Sequence, residues 1–222
     1  MAVGPRRAGL ERCVPLPRWN RLDPERQAVI LAAAKDEFVA QGLAKASFNR
    51  IIEAAGVSKG AMYYYFEDRE DLLVTAIEHA LEPIAAVAAL PLGATCPDSF
   101  WTAIEARCLE AVVWLEGRPE LAALARALYE GLGGGARPDG PLADLQARML
   151  RWSEAVLREG AAAGAVRTDL PLPLLTRVAL AAGKAIDQWM VESWEAMEPE
   201  EALRLSVQSM ALMRDLLEPR GK

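Results

Sequence analysis

"ASFNRIIEAAGVSKGAMYYYFEDREDLL", residues 46–73, sets two short apolar-patterned segments on either side of a glycine and closes the second with three tyrosines and a phenylalanine. Ser47 stands where it caps a short helix through Ala55. Gly56 breaks that helix, and Ser58 caps another running to about Phe66. Without a Cβ, Gly56 takes positive φ at no steric cost and lets the chain reverse sharply. Ala55 permits close approach of the two segments, Val57 plugs the crevice between them, and Met62 and Phe66 return onto Ile51, Ile52 and the preceding helix. Two short helices around a glycine turn have the spacing of a helix-turn-helix.

This packing leaves Ser58, Lys59, Gly60, Ala61, Tyr63 and Tyr64 on the outer edge of the second segment. Free N–H groups at a helix start suit phosphate oxygens, and Lys59 adds charge there. Lys59 has the reach to donate to guanine, the methyl of Ala61 suits a thymine methyl, and the hydroxyls of Tyr63 and Tyr64 suit phosphate oxygens. Three- and four-residue spacing turns Tyr65 and Phe66 the other way, toward Met62 and the core.

Upstream, "LDPERQAVILAAAKDEFVAQGL" gathers helix signals: Asp23 as N-cap, Pro24 at the first position, Glu25 in the first turn and Gly42 as the stop. Ile30, Leu31, Ala34 and Phe38 form its buried face. Residues 1–22 are rich in Pro, Gly and Arg with no sustained apolar period, which predicts a flexible basic arm. Its Arg6, Arg7, Arg12, Arg18 and Arg21 are placed to reach a minor groove, or the arm is a leader without a specific role. Downstream, the pattern predicts a fourth helix over 68–90 and further helices near 98–116, 119–132, 141–163, 172–195 and 199–217. Clear breakers such as "GGGARPDG" separate them. The fold class is therefore all-α: an N-terminal three-helix helix-turn-helix domain (23–67) followed by a larger helical domain (68–222).

The 222 residues carry a net charge of -6, with 25 Lys+Arg against 31 Asp+Glu. Through Phe66 the count is 10 basic against 6 acidic, and from Glu67 onward it is 15 against 25. A basic head on an acidic body points to a head that meets an anion. Cys13, Cys96 and Cys108 form no C-x-x-C pair, so neither a disulfide framework nor a zinc site is indicated. The longest apolar run, "PIAAVAALPL" at 83–92, is too short and broken to span a bilayer. A cytoplasmic protein without a membrane segment is expected.

Residues 46–73 resemble the DNA-binding domain of the TetR/AcrR family of transcriptional regulators, a likeness running from Asp23 to about Ile77, roughly a quarter of the chain. The resemblance implies a DNA-binding head, a body that binds a small effector, and a homodimer through the last two long helices. It assigns Ser47, Tyr63, Tyr64 and Arg69 to phosphate contacts, and Ser58, Lys59, Gly60 and Ala61 to the groove. Arg69 stands where the family often has lysine, Tyr64 where histidine is frequent, and Ile52 where alanine is common. Apart from the resemblance, Ser47 serves as a cap, and Arg69 has the alternative of pairing with Glu70 or Asp68 on a solvated face.

In the body, Trp101, Glu105 and Cys108 share one helical face, and with Trp152 and Asp187 they are the candidate effector pocket. Ordinary core packing is the alternative for each tryptophan, and a solvated side chain the alternative for Asp187 and His79. Ala182, Ile186 and Trp189 on one helix, with Leu205, Leu212 and Leu216 on the last, are the candidate dimer interface, set against an intramolecular core. With one histidine and no nucleophile–base pair, an enzyme lacks its parts, and no cofactor or metal is implied. The expected function is a ligand-responsive repressor released from a palindromic double-stranded DNA operator by a hydrophobic or aromatic small-molecule effector. Its rivals are a helical small-molecule-binding protein without DNA binding and a small all-helical transferase.

Overall fold

The computed structural model describes residues 18–115, 118–133, 140–193 and 196–219. Among them stand nine α-helices and one 3-10 turn, with no strand: Trp19–Arg21 (the 3-10 turn), α1 Pro24–Lys45, α2 Phe48–Ala54, α3 Lys59–Tyr65, α4 Arg69–Ala88, α5 Pro97–Leu115, α6 Pro119–Gly133, α7 Pro141–Ala162, α8 Leu172–Ser193 and α9 Pro199–Leu217. The expected helices are all present, with ends displaced by a few residues. Local chemistry explains this. Asp23, Ser47, Ser58 and Asp68 each accept a hydrogen bond from a backbone N–H in the first turn that follows, satisfying donors that a helix start leaves unpaired. Gly42 at φ 66° and Gly56 at φ 62° supply the left-handed breaks after the main body of α1 and between α2 and α3. A last turn, Leu43–Lys45, follows the Gly42 kink.

The helices bury two apolar clusters. The larger joins Ile30, Leu31, Ala34 and Phe38 of α1 to Ile51, Ile52, Met62 and Phe66, and continues through Leu72, Leu73, Val74 and Ile77 of α4 into Leu121, Leu124 and Ala127 of α6 and Leu142 of α7. The smaller gathers Phe100 and Trp101 of α5 with Leu157 of α7, Ala165, Val166, Leu175, Ala179 and Leu217. The division expected at 67/68 therefore separates chain segments but not packing. α1 lies along α6 of the body as well as α4.

Residues 1–17, most of the expected arm with Arg6, Arg7 and Arg12, lie outside the described residues. The arm's remainder is built into the head. Trp19 is 5% exposed and belongs to the larger cluster.

α4 is fastened at both ends. At its start, Arg69 Nη1 donates to the carbonyls of Ala44 (3.0 Å) and Ala46 (3.3 Å), at the α1–α2 joint. At its end, the Ala88 carbonyl accepts from Trp152 Nε1 of α7 (3.2 Å) and Arg107 Nη1 of α5 (3.4 Å), and Arg107 Nη2 also reaches the Pro91 carbonyl (3.0 Å). A cation at a helix C-terminus also opposes the negative end of the macrodipole. Midway, Glu78 of α4 pairs with Arg148 of α7. Burial raises the Glu78 carboxyl above its ordinary range, opposed by the charge of Arg148.

Candidate nucleic-acid interface

The outer edge of α3 is built as its sequence suggests. Ser58 Oγ accepts from Ala61 N–H at 3.1 Å, fixing the first turn, while Ser58, Lys59 and Gly60 are exposed. A Cβ added at Gly60 would meet nothing within 4 Å, so space stands open beside that turn. Tyr63 and Tyr64 are 49% and 51% exposed, Tyr65 is half-buried and Phe66 is fully buried. The run of tyrosines is thus divided between an outward edge and an inward anchor. Tyr63 is braced edge-on by Phe48 of α2, with ring centroids 5.2 Å apart, and Lys59 Nζ lies 5.9 Å from its ring centroid.

Ser47 caps α2, its Oγ accepting from Arg50 N–H at 3.3 Å, and its own N–H donates to Glu37 Oε1 at 2.7 Å. Arg50 grips the same carboxylate with Nε at 2.9 and 3.1 Å and Nη2 at 2.5 Å. The Arg50 hydrogen bond holds the Glu37 carboxyl below its usual range; burial opposes this, and the Ser47 N–H assists it. Glu37 thereby ties α1 to the start of α2, thirteen residues away from Arg50, a pairing that no local sequence pattern reveals. Arg69 is exposed, as a phosphate contact requires, but its Nη1 is already committed to Ala44 and Ala46.

In the body, Cys108 of α5, Tyr129 of α6 and Asp187 of α8 come together. Tyr129 lies beside the Asp187 carboxyl, near enough for each to influence the other's titration. Asp187 is exposed; the protein around its carboxyl raises its pKa, opposed by the neighbouring Tyr129 hydroxyl. Burial raises the Cys108 thiol, and the charges of Asp187 and Glu105 raise it further. Burial likewise raises the Tyr129 phenol.

Of the expected pocket residues, Cys108 and Asp187 lie near one another and near Tyr129, which sequence reasoning did not name and which stands fifty-eight residues upstream of Asp187. The other expected pocket residues fall elsewhere. Trp101 is buried in the smaller cluster, edge-on to Phe100 at 5.1 Å, with no acceptor for its Nε1 among the described residues. Glu105 is exposed, 3.7 Å from Arg214 of α9. Trp152 is on the outside, tied to the end of α4. His79 borders a shallow groove between α1, α4 and α6.

On α8 the exposed apolar residues Leu174, Val178 and Trp189 recur at helical spacing, with Ala181 and Ala185 between them. The expected Ala182 and Ile186 are half-buried at the margin of that stripe, whereas Trp189 stands within it. On α9, Leu203, Val207 and Leu212 are exposed, Leu205 is half-buried, and Leu216 packs inward on the smaller cluster.

No helix of the described residues is long and apolar enough to cross a membrane. The family described as "Bacterial regulatory proteins, tetR family" matches residues 30–76, which run from α1 through α2 and α3 into α4. The HTH-type transcriptional regulator SrpR of Pseudomonas putida is 27% identical over 144 residues, 64% of each chain. TtgW, another HTH-type transcriptional regulator of Pseudomonas putida, is 31% identical over 83 residues, 37% of this chain and 60% of that one. The chain thus spans less than two thirds of the length of these relatives. Among solved structures, a tetR family transcription regulator from Shewanella sp. PV-4 superposes with a TM-score of 0.62 at 21% identity, covering 88% of this chain and 99% of that chain. NalD, the secondary repressor of the MexAB-OprM multidrug efflux pump in Pseudomonas aeruginosa, has a TM-score of 0.61 at 18% identity, covering 87% and 97%. The fold is common to these solved structures, and the segment over the helix-turn-helix is similar to the tetR family of bacterial regulatory proteins.

Proposed function

We propose that this protein is a dimeric transcriptional repressor that holds a palindromic operator through α3 and releases it when a small hydrophobic or aromatic effector enters the body. The observation that carries this reading is the outer edge of α3, where Ser58, Lys59, Gly60, Tyr63 and Tyr64 stand exposed on a helix whose other side is locked into the core. Lys59 and Ala61 face the bases, while Tyr63, Tyr64 and the uncommitted nitrogens of Arg69 serve phosphates. Ser47 acts chiefly as the cap of α2. The test is a gel shift with the DNA upstream of the protein's own gene. Lys59→Ala is expected to weaken binding about 5-fold, roughly 1 kcal/mol, with circular dichroism unchanged. Unaltered affinity would remove Lys59 from the interface.

The exposed stripes of α8 and α9 support a homodimer in which two helices from each chain form a four-helix bundle, its two-fold axis matching that of the operator. The effector site we place at Cys108, Tyr129 and Asp187. These residues lie on α5, α6 and α8, and α6 also packs along α1. A ligand wedged between α6 and α8 therefore acts on the helix that carries the head, and differential affinity for the two arrangements lowers DNA affinity by linkage.

Asp187→Asn isolates the effector part. Because protein raises the carboxyl's pKa, the native state holds its proton more tightly than the unfolded chain, so this group's contribution to stability falls as pH rises from its ordinary range through the raised value. Asn keeps a polar side chain of the same shape without the charge. The variant is expected to melt slightly higher than wild type at pH 7, with the gain vanishing toward pH 4, and to bind operator normally while losing effector release. Normal release would place the effector elsewhere.

A further inference from the structure

The turn ahead of α1 delivers a cation to the edge of α3. Trp19 lies with its ring centroid 4.8 Å from that of Phe66 and 6.1 Å from that of Tyr65. The turn closes through Arg21 N–H to the Arg18 carbonyl (3.2 Å) and Leu22 N–H to the Trp19 carbonyl (2.9 Å), and Gln27 Nε2 of α1 donates to that same Trp19 carbonyl at 2.7 Å. The backbone at residue 19 is thus fixed to the core that fixes α3. One residue earlier, the Arg18 guanidinium carbon sits 4.3 Å from the centroid of the Tyr64 ring.

With its guanidinium carbon over the Tyr64 ring, Arg18 has a planar set of N–H donors that the ring does not consume. Among the described residues no carboxylate or carbonyl takes those of Arg18. A held, charged, unused donor fork therefore lies beside an exposed phenol hydroxyl, and both stand on the outward side of the head. The acceptor that answers this arrangement is a phosphodiester, whose oxygens accept two parallel hydrogen bonds from a guanidinium.

We propose that Arg18, stacked on Tyr64, is a DNA-phosphate contact, so that the two residues form one composite clamp at the C-terminal end of α3. The inference rests on the DNA-binding reading above. It differs from the expectation of a loose basic arm, because Trp19 pins this arginine in place before DNA arrives. A donor held in its bound geometry loses less conformational freedom on binding than one on a flexible arm.

The test uses the full chain and random-sequence duplex DNA long enough for two successive major grooves, since a phosphate contact is independent of sequence. Affinity is followed by fluorescence anisotropy between about 50 and 200 mM salt, where the slope of log affinity against log salt changes by about 0.9 for each phosphate neutralised. Arg18→Ala is expected to reduce that slope by about 0.9 per protomer engaged and weaken binding several-fold, without changing the melting temperature by more than a degree or two. Arg18→Lys is expected to restore the slope but only part of the affinity, because an ammonium lacks the planar fork. A wild-type slope in Arg18→Ala overturns this inference alone. Absence of any salt-dependent DNA binding by the wild type overturns the DNA-binding reading, and this inference with it.

Discussion

Phe66→Ala is expected to lower the stability of the protein by about 3–5 kcal/mol, the usual cost of emptying a phenylalanine site in a closed core. Phe66 has no solvent exposure and follows the last residue of α3, where its N–H donates to the Met62 carbonyl at 2.9 Å. Its ring fills the space between Trp19 and the α1, α2 and α4 side chains of the larger cluster. Alanine leaves a void there and removes the surface against which Trp19 rests. The site has little room to collapse, since its neighbours are themselves held by caps at Asp23, Ser47 and Asp68. For a chain of this size each kcal/mol moves the midpoint by about 2–4 °C, so thermal melting is expected to fall by roughly 10 °C. DNA binding should fail with it, because Phe66 anchors the helix that carries Tyr63 and Tyr64. A shift of less than about 2 °C would mean that the ring is not closed in as described.

Gly160→Ala should also destabilise, against its local propensity. In a helix interior, alanine is ordinarily better than glycine by up to about 1 kcal/mol. At Gly160 the added Cβ would lie 2.6 Å from Phe100 Cζ, 2.8 Å from Phe100 Cε2 and 2.6 Å from Val166 Cγ2. Both neighbours are buried and neither can swing into solvent. The cause is the way α7 ends: Ala165 N–H donates to the Gly160 carbonyl (2.8 Å) and Gly164 N–H to that of Ala161 (3.1 Å), with Gly164 at φ 75°. That is a Schellman closure, which folds the chain back onto its own last turn. Overpacking costs about 1–3 kcal/mol and occasionally more, so a net loss of about 2 kcal/mol is expected in denaturant unfolding. Gly183 of α8 is the control, because a Cβ there meets nothing within 4 Å. Gly183→Ala should shift stability the opposite way, by about 0.5–1 kcal/mol. Equal signs at the two positions would refute the steric argument.

The features legible in the sequence are those whose cause is local. Caps, prolines at helix starts and glycines at breaks act within a few residues, and they placed every helix of the head and body. The tyrosine run divided correctly because three- and four-residue spacing decides which side faces the core. Trp19 was illegible because it sits alone in a Pro- and Arg-rich stretch, without periodicity, and its partner Phe66 is distant in the chain. Tyr129 of α6 and Asp187 of α8 are neighbours, and nothing in either helix advertises the other. On α8 the apolar residues are dense enough to support more than one stripe, and exposure selects Leu174, Val178 and Trp189 over Ala182 and Ile186. Arg69 shows the same limit. The family resemblance makes it a phosphate ligand, whereas its carbonyl partners are twenty-three and twenty-five residues upstream.

The larger cluster has a consequence for how such a protein diverges. Its members run from Trp19 to Leu142, so the cluster of α1 and α4 that supports the helix-turn-helix also takes in α6 and α7. The reading head is consequently not a portable module. A fragment ending after α3 would leave Phe38, Met62 and Phe66 without Leu72, Leu73 and Val74, and a hybrid with another body would need that body's matching helix to fit this α1. Under the proposed function, operator preference can change at the exposed positions of α3 one side chain at a time. Exchange of the body, by contrast, requires the seam to be rebuilt along both helices together.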